Sequence, residues 1–218
     1  MSTAIVLLSG GMDSATLLYW ALQQNYALQA VTFNYPSRPS QELKATRKIA
    51  SSADVNCIEV ALPFLKTAAD IKKENSDAFK GVKLPEGYIP ARNLIFYALA
   101  YYYAEVYGVN LIIGGHLKSD REGFPDATPT FFKEVERLVN SIKLRKEPNI
   151  QLLLPFIEKT KLDVVRIAIE LGVPLELTWS CYYERDEHCG KCESCSERAE
   201  AFEKSGLKEL ANYSKRTR

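Results

Sequence analysis

Short apolar runs alternate along the chain with longer segments that carry apolar residues at helical spacing. Five runs rich in leucine or β-branched residues predict buried strands at Ala4–Leu8, Leu28–Phe33, Asn56–Val60, Asn110–Ile113 and Gln151–Leu154. The intervening segments predict helices at Ser14–Asn25, Gln41–Ala53, Asn93–Tyr107, Thr130–Val139 and Lys161–Leu171. This alternation predicts an α/β fold, a doubly wound parallel sheet with ligands at the carboxyl ends of its strands.

Two segments add detail to this pattern. The helix Asn93–Tyr107 is apolar nearly all round, which predicts that it is buried. The region Thr67–Ile89 is polar, broken by glycine and proline, and weakly periodic. We expect it to form a mobile loop or a short helix over the ligand site.

The segment Ser9–Ser14, Ser-Gly-Gly-Met-Asp-Ser, joins the first predicted strand to the first predicted helix. Its two glycines can adopt backbone angles closed to other residues and let main-chain N–H groups approach an anion. Its serines and the helix N-terminus add donors and a positive dipole end, which favours phosphate. Asp13 suits a Mg²⁺ ion on that phosphate, or a helix cap. The Walker pattern is absent, and the alternative is a tight turn capped by a serine.

Composition favours a cytosolic enzyme over a secreted or membrane protein. The 218 residues are 46% hydrophobic, enough for one sizeable core, and 28 Lys+Arg nearly balance 27 Asp+Glu. Such balance argues against nucleic acid or an anionic membrane as a partner. With no basic leader and no apolar run of membrane length, we expect a cytoplasmic location. We also expect an α/β domain over residues 1–175 and a small C-terminal subdomain over 176–218.

Four of the five cysteines lie near the C-terminus with metal-ligand spacing: Cys181, Cys189, Cys192 and Cys195. Four thiolates suit one tetrahedral Zn²⁺, and the closed ligand set predicts a structural metal because no position stays open for water. Lys191 and Arg198 would offset some of the thiolate charge. An iron–sulfur cluster and a disulfide pair are the alternatives, although the cytosol keeps thiols reduced. Cys57 lies in a predicted buried strand and is expected to be a small core residue.

Three further segments place polar side chains beside predicted strand ends. Arg92 could hold a phosphate or carboxylate bidentately, and Asn93 could cap the following helix. The segment after the fourth strand is either a solvated loop with one cap or a site for a polar heterocycle or metal, built from Gly114, His116, Asp120, Phe124 and Asp126. After the fifth strand, Lys159 could neutralise departing pyrophosphate, and Lys161 is equally consistent with a solvated helix start.

In this order and spacing, the motifs resemble the 7-cyano-7-deazaguanine synthase family of queuosine and archaeosine biosynthesis, the QueC-type ATP pyrophosphatases. The resemblance spans nearly the whole chain and rests on the Ser9–Ser14 loop, Pro90-Ala91-Arg92-Asn93, Gly123-Phe124-Pro125-Asp126, Glu158-Lys159, Ser180-Cys181-Tyr182 and Cys189–Cys195. It implies an adenine nucleotide α hydrolase-like, Rossmann-like fold. It further implies that ATP activates the carboxylate of 7-carboxy-7-deazaguanine, that free ammonia then gives the amide, and that a second ATP drives dehydration to the nitrile. Mg²⁺ on the phosphates, a structural zinc and a homodimer are also implied.

The resemblance implies roles for individual residues. The catalytic set would be Asp13, Ser14 and Lys159. ATP would contact Leu8, Ser9, Gly10, Gly11, Asp13, Ser14, Phe33 and Gly114. The deazaguanine substrate would contact Tyr35, Arg92, Asn93, His116, Asp120, Phe124 and Asp126. The carboxylate of Asp126 would suit a guanine-like amino edge, and the four C-terminal cysteines would hold zinc.

Three stretches depart from the family pattern. Asn34–Pro39 stands in place of Asp-Tyr-Gly-Gln-Arg-His, Ala91 in place of a glycine, and Pro125–Thr128 in place of Pro-Asp-Cys-Arg. The missing histidine and arginine leave open a branch that stops at the amide or transfers the activated base elsewhere. A pyrophosphate-loop tRNA sulfurtransferase is a second alternative, and a zinc-ribbon binding module on an inactive nucleotide fold is a third.

Overall fold

The structure is a computed structural model that describes residues 2–85, 87–144 and 148–206. Its strands are β1 (Thr3–Leu7), β2 (Ala27–Asn34), β3 (Cys57–Ala61), β4 (Leu111–Ile113) and β5 (Gln151–Leu153). Its α-helices are α1 (Met12–Gln23), α2 (Ser40–Ser52), α3 (Ala68–Glu74), α4 (Arg92–Tyr107), α5 (Asp120–Gly123), α6 (Pro129–Ile142), α7 (Lys161–Glu170) and α8 (Glu193–Ser205). Short 3₁₀ turns lie at Pro125–Ala127 and Leu175–Leu177.

The strands form one parallel sheet in the order β3-β2-β1-β4-β5. The chain winds outward from β1 through β2 and β3, then returns past β1 to build β4 and β5 on the other side. The predicted doubly wound α/β class is therefore confirmed. Its topological switch point lies between β1 and β4, the place where open parallel sheets bind ligands.

Successive side chains of β1 enter two hydrophobic cores, one on each face of the sheet. Val6 lies in a core that includes Leu17 of α1 and Val164 of α7. Ile5 lies in a second core with Tyr97 of α4 and Phe132 of α6. Both faces are covered, so successive positions of the strand are apolar, which explains its continuous hydrophobic run.

Helix α4 is buried on one face only, which corrects the expectation of a helix buried all round. Tyr97 and Ala100 lie in the second core, whereas Tyr102 is 59% exposed and Tyr107 is 53% exposed. Tyrosine accounts for the difference, because it counts as apolar in a sequence pattern yet keeps its hydroxyl group at a wet surface. Within the described ranges, no helix has both the length and the apolar composition needed to span a bilayer.

Cys57 is half-buried at the start of the edge strand β3 and packs against the core that contains α1 and α7, so it lies at the margin of that core. Burial raises the pKa of its thiol to about 11. The side chain is therefore protonated at neutral pH, in agreement with the expectation that it is no nucleophile.

The region Thr67–Ile89 contains the short helix α3. The Thr67 hydroxyl caps this helix by accepting the N–H of Asp70 at 3.1 Å. Both Thr67 and Ile89 line the cavity described below, so the ends of the region lie at the ligand site as expected.

The C-terminal part is built around α8, a helix that the sequence pattern did not predict. Phe202 of α8 packs into the core that also contains α1 and α7. The fully buried Arg198 donates to Thr178 Oγ1 at 2.6 Å and to the Leu175 carbonyl at 3.1 Å, which fixes α8 to the preceding turn. The division between residues 175 and 176 stays a prediction, and residues 207–218 of the expected subdomain lie outside the described ranges.

Candidate active site and metal centre

The carboxyl ends of β1, β2 and β4 open into a cavity of about 410 Å³. Most of the predicted site residues line it: Leu8, Ser9, Gly11, Asp13, Ser14, Phe33, Tyr35, Arg92, Asn93, His116, Asp120 and Phe124. Four others do not reach its wall: Gly10, Gly114, Asp126 and Lys159. The switch point of the sheet therefore brings together residues from segments that are far apart in sequence.

The hydroxyl of Ser14 is the centre of the loop that follows β1. It accepts the N–H of Ser9 at 3.1 Å and that of Gly10 at 3.2 Å, and it donates to the Gly11 carbonyl at 3.0 Å. The Ser9 hydroxyl lies 3.0 Å away and accepts the Gly11 N–H at 3.3 Å. These bonds order the loop at the N-terminus of α1, and a helix N-terminus that opens into a cavity suits an anion.

The two loop glycines meet different requirements. Gly10 has a φ of +93°, and a Cβ there would lie 2.7 Å from Thr46 Oγ1 and 2.8 Å from its backbone N, as well as against the carbonyl of Glu42. Gly11 has a φ of −75°, which any residue adopts. The backbone freedom expected of the two glycines is therefore used at Gly10 and not at Gly11.

Asp13 and Lys161 form an ion pair that joins the first turns of α1 and α7. Asp13 Oδ2 accepts from Lys161 Nζ at 2.6 Å, and both side chains are partly buried. The second carboxylate oxygen, Oδ1, is buried without a partner among the described residues. A carboxylate oxygen of this kind is the ligand that Mg²⁺ prefers. Lys159 is exposed, so the lysine that enters the cavity after β5 is Lys161.

Asp120 and His116 form the cavity wall beyond β4. Asp120 Oδ2 lies 3.5 Å from His116 Nδ1 and accepts the N–H of Leu117 at 2.9 Å. Burial opposes the charge on Asp120, but His116, the Leu117 N–H and Lys161 outweigh it and hold the pKa of this carboxyl below its usual range. The carboxylate is therefore ionised at neutral pH and suits an N–H donor.

Gly114 serves this wall indirectly. A Cβ at Gly114 would overlap the hydroxyl of Tyr97, a cavity-lining residue of α4. Because Gly114 has no side chain, α4 can approach the end of β4.

Aromatic rings and one guanidinium group line the cavity near α4. Phe33 stacks on Phe96 with ring centres 4.3 Å apart, and the Arg92 guanidinium lies 5.8 Å from the centre of the Phe124 ring. Burial raises the pKa of Tyr35, whose hydroxyl is hydrogen-bonded to Arg92. A planar heterocycle that carries a carboxylate would find both stacking surfaces and a bidentate donor here.

The start of α4 is capped by Asp126 instead of Asn93. The Asp126 carboxylate accepts the backbone N–H of Asn93 at 3.0 Å, and the Asn93 amide donates to the Asp126 carbonyl at 2.9 Å. The suggested cap by the Asn93 side chain is therefore wrong. These bonds also hold Asp126 outside the cavity wall, where it fixes the turn that carries Arg92.

Two cavity residues, Arg38 and Glu42, were missed by the sequence reasoning. The buried Arg38 donates to the Phe33 carbonyl at 2.7 Å, to Thr46 Oγ1 at 2.8 Å and to the Ser9 carbonyl, which ties the loop after β1 to β2 and α2. Glu42 Oε2 lies 3.8 Å from Arg38 Nε. Arg38 and Glu42 are four residues apart, a spacing that is also typical of a solvent-exposed ion pair on a helix. This spacing therefore did not indicate a ligand site.

The four predicted metal ligands come together as a buried cluster. The ligand atoms of Cys181, Cys189, Cys192 and Cys195 all lie within 4.8 Å of one another, and none of the four forms a disulfide. The N–H groups of Lys191 and Cys192 point at Cys189 Sγ, 3.4 Å and 3.3 Å away. Burial disfavours the thiolate, but these N–H groups prevail and lower the pKa of Cys189 to about 6. The cluster is suited to hold a metal ion.

Trp179 connects the cysteine cluster to the loop after β1. Its backbone N–H donates to the Gly10 carbonyl at 2.9 Å, and its indole N–H donates to the Cys181 carbonyl at 2.9 Å. The ring packs 4.3 Å from that of the buried His188, whose Nε2 accepts the Ser180 N–H at 3.0 Å. The candidate metal centre therefore forms one side of the cavity, which Cys181 itself lines.

The chain is similar in fold to several solved structures. NMN synthetase from Francisella tularensis superposes with a TM-score of 0.55 at 13% identity, covering 95% of this chain and 78% of that chain. The U34-tRNA thiolase NcsA from Methanococcus maripaludis, solved with its 4Fe-4S cluster, gives a TM-score of 0.51 at 17% identity, covering 94% and 65%. At these identities the likeness establishes the adenine nucleotide α hydrolase-like fold alone.

Comparison of sequences is more specific. The family model described as queuosine biosynthesis protein QueC matches residues 3–206. The 7-cyano-7-deazaguanine synthase of a Nitratiruptor species is 39% identical over 216 residues, covering 96% of this chain and 98% of the relative. The synthase of the same name from Thermoplasma volcanium is 35% identical over 221 residues, covering 97% and 91%. The chain therefore belongs to the QueC family of queuosine biosynthesis proteins.

Proposed function

We propose that this chain is an ATP-dependent ligase that converts 7-carboxy-7-deazaguanine and ammonia into 7-cyano-7-deazaguanine. The observation that carries the proposal is one cavity that holds an anion-binding loop, a Lys161–Asp13 pair and an aromatic wall with a guanidinium group. The name of the relatives that match the chain from end to end supports the same reaction.

The loop end of the cavity suits the phosphates of ATP. The N-terminus of α1 would bind the pyrophosphate, and Lys161 would neutralise its charge as it leaves. Asp13 Oδ1 would hold Mg²⁺, which when bound supplies positive charge at the phosphates. Lys161 takes here the role that the sequence suggested for Lys159.

The aromatic end suits the deazaguanine. Phe124 would stack on its ring system, Arg92 would pair with its carboxylate, and Asp120 would accept hydrogen bonds from its N–H groups. A free carboxylate resists attack by ammonia because it has no good leaving group. Transfer of AMP to the carboxylate supplies one, and the bound geometry brings the reactants together.

We further propose that the cysteine cluster holds zinc. Tetrahedral coordination with Zn–S bonds of about 2.3 Å places the sulfur atoms about 3.8 Å apart. Cys189 Sγ and Cys195 Sγ are 3.9 Å apart, which supports a single ion. An iron–sulfur cluster puts several iron atoms between its thiolates and needs wider spacing. Metal analysis of the purified protein should find one zinc per chain, and iron with labile sulfide would overturn the assignment.

A homodimer in the cytoplasm is also proposed, on the resemblance to the family. Light scattering behind size-exclusion chromatography tests the first point. A mass near that of one chain at micromolar concentration would refute the dimer, and fractionation of cells tests the location.

The central test is mass spectrometry of the products formed from ATP, Mg²⁺, ammonium and 7-carboxy-7-deazaguanine. The wild type should form the nitrile, and Asp13→Ala should form none. Accumulation of the amide would support instead the branch that stops halfway. If the wild type forms neither product and releases no pyrophosphate, the proposed substrate is refuted, and tRNA becomes the next substrate to test.

A further inference from the structure

Three carboxylates line the cavity in the part of the chain that the structure describes: Asp13, Glu42 and Asp120. Two of them are committed to partners. Asp13 pairs with Lys161 at 2.6 Å, and Asp120 accepts a backbone N–H while facing His116. Glu42 differs, because its nearest cationic partner is Arg38 Nε at 3.8 Å, beyond hydrogen-bonding distance.

The fold holds Glu42 in this position from several sides. It lies in the first turn of α2, and its backbone carbonyl packs against Gly10 of the phosphate loop. Arg38 cannot turn its terminal nitrogens toward Glu42, because they already donate hydrogen bonds to Thr32, Thr46 and two backbone carbonyls. The backbone of Glu42 is therefore held in place, and its carboxylate accepts no hydrogen bond from the described residues while it lines the cavity.

The charged and titratable groups that face Glu42 are Arg38, Arg92 and Tyr35. Burial raises the pKa of Glu42, and the two arginines oppose this shift without cancelling it. A carboxylate whose pKa is raised toward the working pH is a better proton acceptor than an exposed one.

The proposed reaction requires such an acceptor. When ammonia attacks the adenylated carboxylate, a C–N bond forms, and the C–O bond to AMP breaks with its electron pair on the phosphate oxygen. The nitrogen begins this step with three hydrogens and ends it in an amide with two. One proton must therefore leave as the bond forms.

We propose that Glu42 is the catalytic base that accepts this proton from the ammonia nitrogen. The assignment rests on the proposed function. Acyl adenylate, ammonia and Glu42 carboxylate become amide, AMP and Glu42 carboxylic acid, which balances atoms and charge. The open cavity then returns the proton to water.

Glu42→Gln tests the assignment, because it keeps the size of the side chain but cannot take up the proton. Exchange of labelled pyrophosphate into ATP, measured with 7-carboxy-7-deazaguanine and no ammonium, reports formation of the adenylate alone. This exchange should stay within about threefold of wild type, whereas amide formation should fall by roughly 10²–10³-fold. The exposed Glu134, substituted by Gln, is the matched control and should leave both rates unchanged.

Two further readouts separate chemistry from structure. Hydroxylamine is unprotonated at neutral pH and loses its proton readily on attack, so it should restore acyl transfer in Glu42→Gln as a hydroxamate. At a constant concentration of unprotonated ammonia, the rate of amide formation in the wild type should fall at low pH as Glu42 becomes protonated, and this acid limb should vanish in the variant. Glu42→Asp, which keeps a carboxylate, should retain the limb at a reduced rate.

Equal loss of exchange and of amide formation in Glu42→Gln would overturn the assignment, as would failure of hydroxylamine to restore transfer. If Glu42→Gln does not fold, Glu42→Asp decides the question. Amide formation by Glu42→Asp at the wild-type rate would then overturn the assignment. Absence of exchange in the wild type is a separate outcome. It would refute the proposed substrate, and the role of Glu42 would fall with it.

Discussion

The phosphate loop allows a sharp test, because its adjacent glycines should respond in opposite ways to the same substitution. Gly10→Ala places a methyl group on a residue with a φ of +93°, which costs an L-amino acid about 1–2 kcal/mol. The methyl carbon would also lie 2.7 Å from Thr46 Oγ1 and 2.8 Å from Thr46 N, closer than real contacts allow. Relief of this overlap requires α2 or the loop to move, at a cost of about 1–3 kcal/mol.

Alanine also reduces the conformational entropy of the unfolded chain, which stabilises the folded state by only about 0.4–1 kcal/mol. The net loss of stability in Gly10→Ala is therefore roughly 2–4 kcal/mol. For a chain of 218 residues, each kcal/mol of lost stability lowers the midpoint of thermal unfolding by about 2–4 °C. The midpoint of Gly10→Ala should therefore fall by roughly 5–15 °C. Gly11→Ala keeps a φ of −75°, and its methyl carbon would lie 3.4 Å from Ser9 Oγ, an ordinary contact. Its midpoint should stay level or rise slightly.

Calorimetry on both variants, with ATP binding measured by titration, checks these expectations. Because Gly11 lines the cavity, Gly11→Ala should weaken ATP binding without loss of stability. Gly10→Ala should weaken both. If Gly10→Ala melts with the wild type, or if Gly11→Ala falls as far as Gly10→Ala, the account of the loop geometry is wrong.

Three other perturbations give separable results. Lys161→Met should slow pyrophosphate release by roughly 100-fold, whereas the matched Lys159→Met should change it less than about twofold; the reverse order in steady-state assays would restore the assignment to Lys159. Ala91→Gly should raise stability by roughly 0.5–1 kcal/mol in denaturant titrations, since Ala91 has a φ of +52°, and a loss of stability would show that the turn is unstrained. Removal of the metal by chelation should lower the melting midpoint and raise the KM for ATP, and an unchanged KM would separate the cysteine cluster from the loop.

The sequence located the sheet and the phosphate loop because both depend on local patterns. Strands covered on both faces are apolar at nearly every position, so the ends of each predicted strand agree with the structure to within one residue. The loop motif occupies consecutive residues between β1 and α1. The cysteine spacing likewise placed four ligands together without any knowledge of the fold.

The remaining features depend on contacts that distant segments make in space. Helix α8 escaped prediction because its buried face includes the charged Arg198, which a hydrophobic pattern does not count as core. The choice between Lys159 and Lys161 depended on where α7 begins, and the capping of α4 by Asp126 crosses over from another segment. None of these contacts has a signature within a short window of sequence.

The cysteine cluster is connected to the phosphate loop through a single residue, Trp179. Trp179 donates one N–H to the Gly10 carbonyl and another to the Cys181 carbonyl, so the loop and the cluster bond to opposite ends of the same residue. A Cβ on Gly11 would lie only 3.7 Å from the Trp179 carbonyl, which shows how closely this segment covers the loop. A metal that draws the four thiolates together fixes Cys181, and Cys181 fixes Trp179. We therefore expect a metal bound at this cluster to strengthen ATP binding, even though its closed ligand set would leave no place for a reactant.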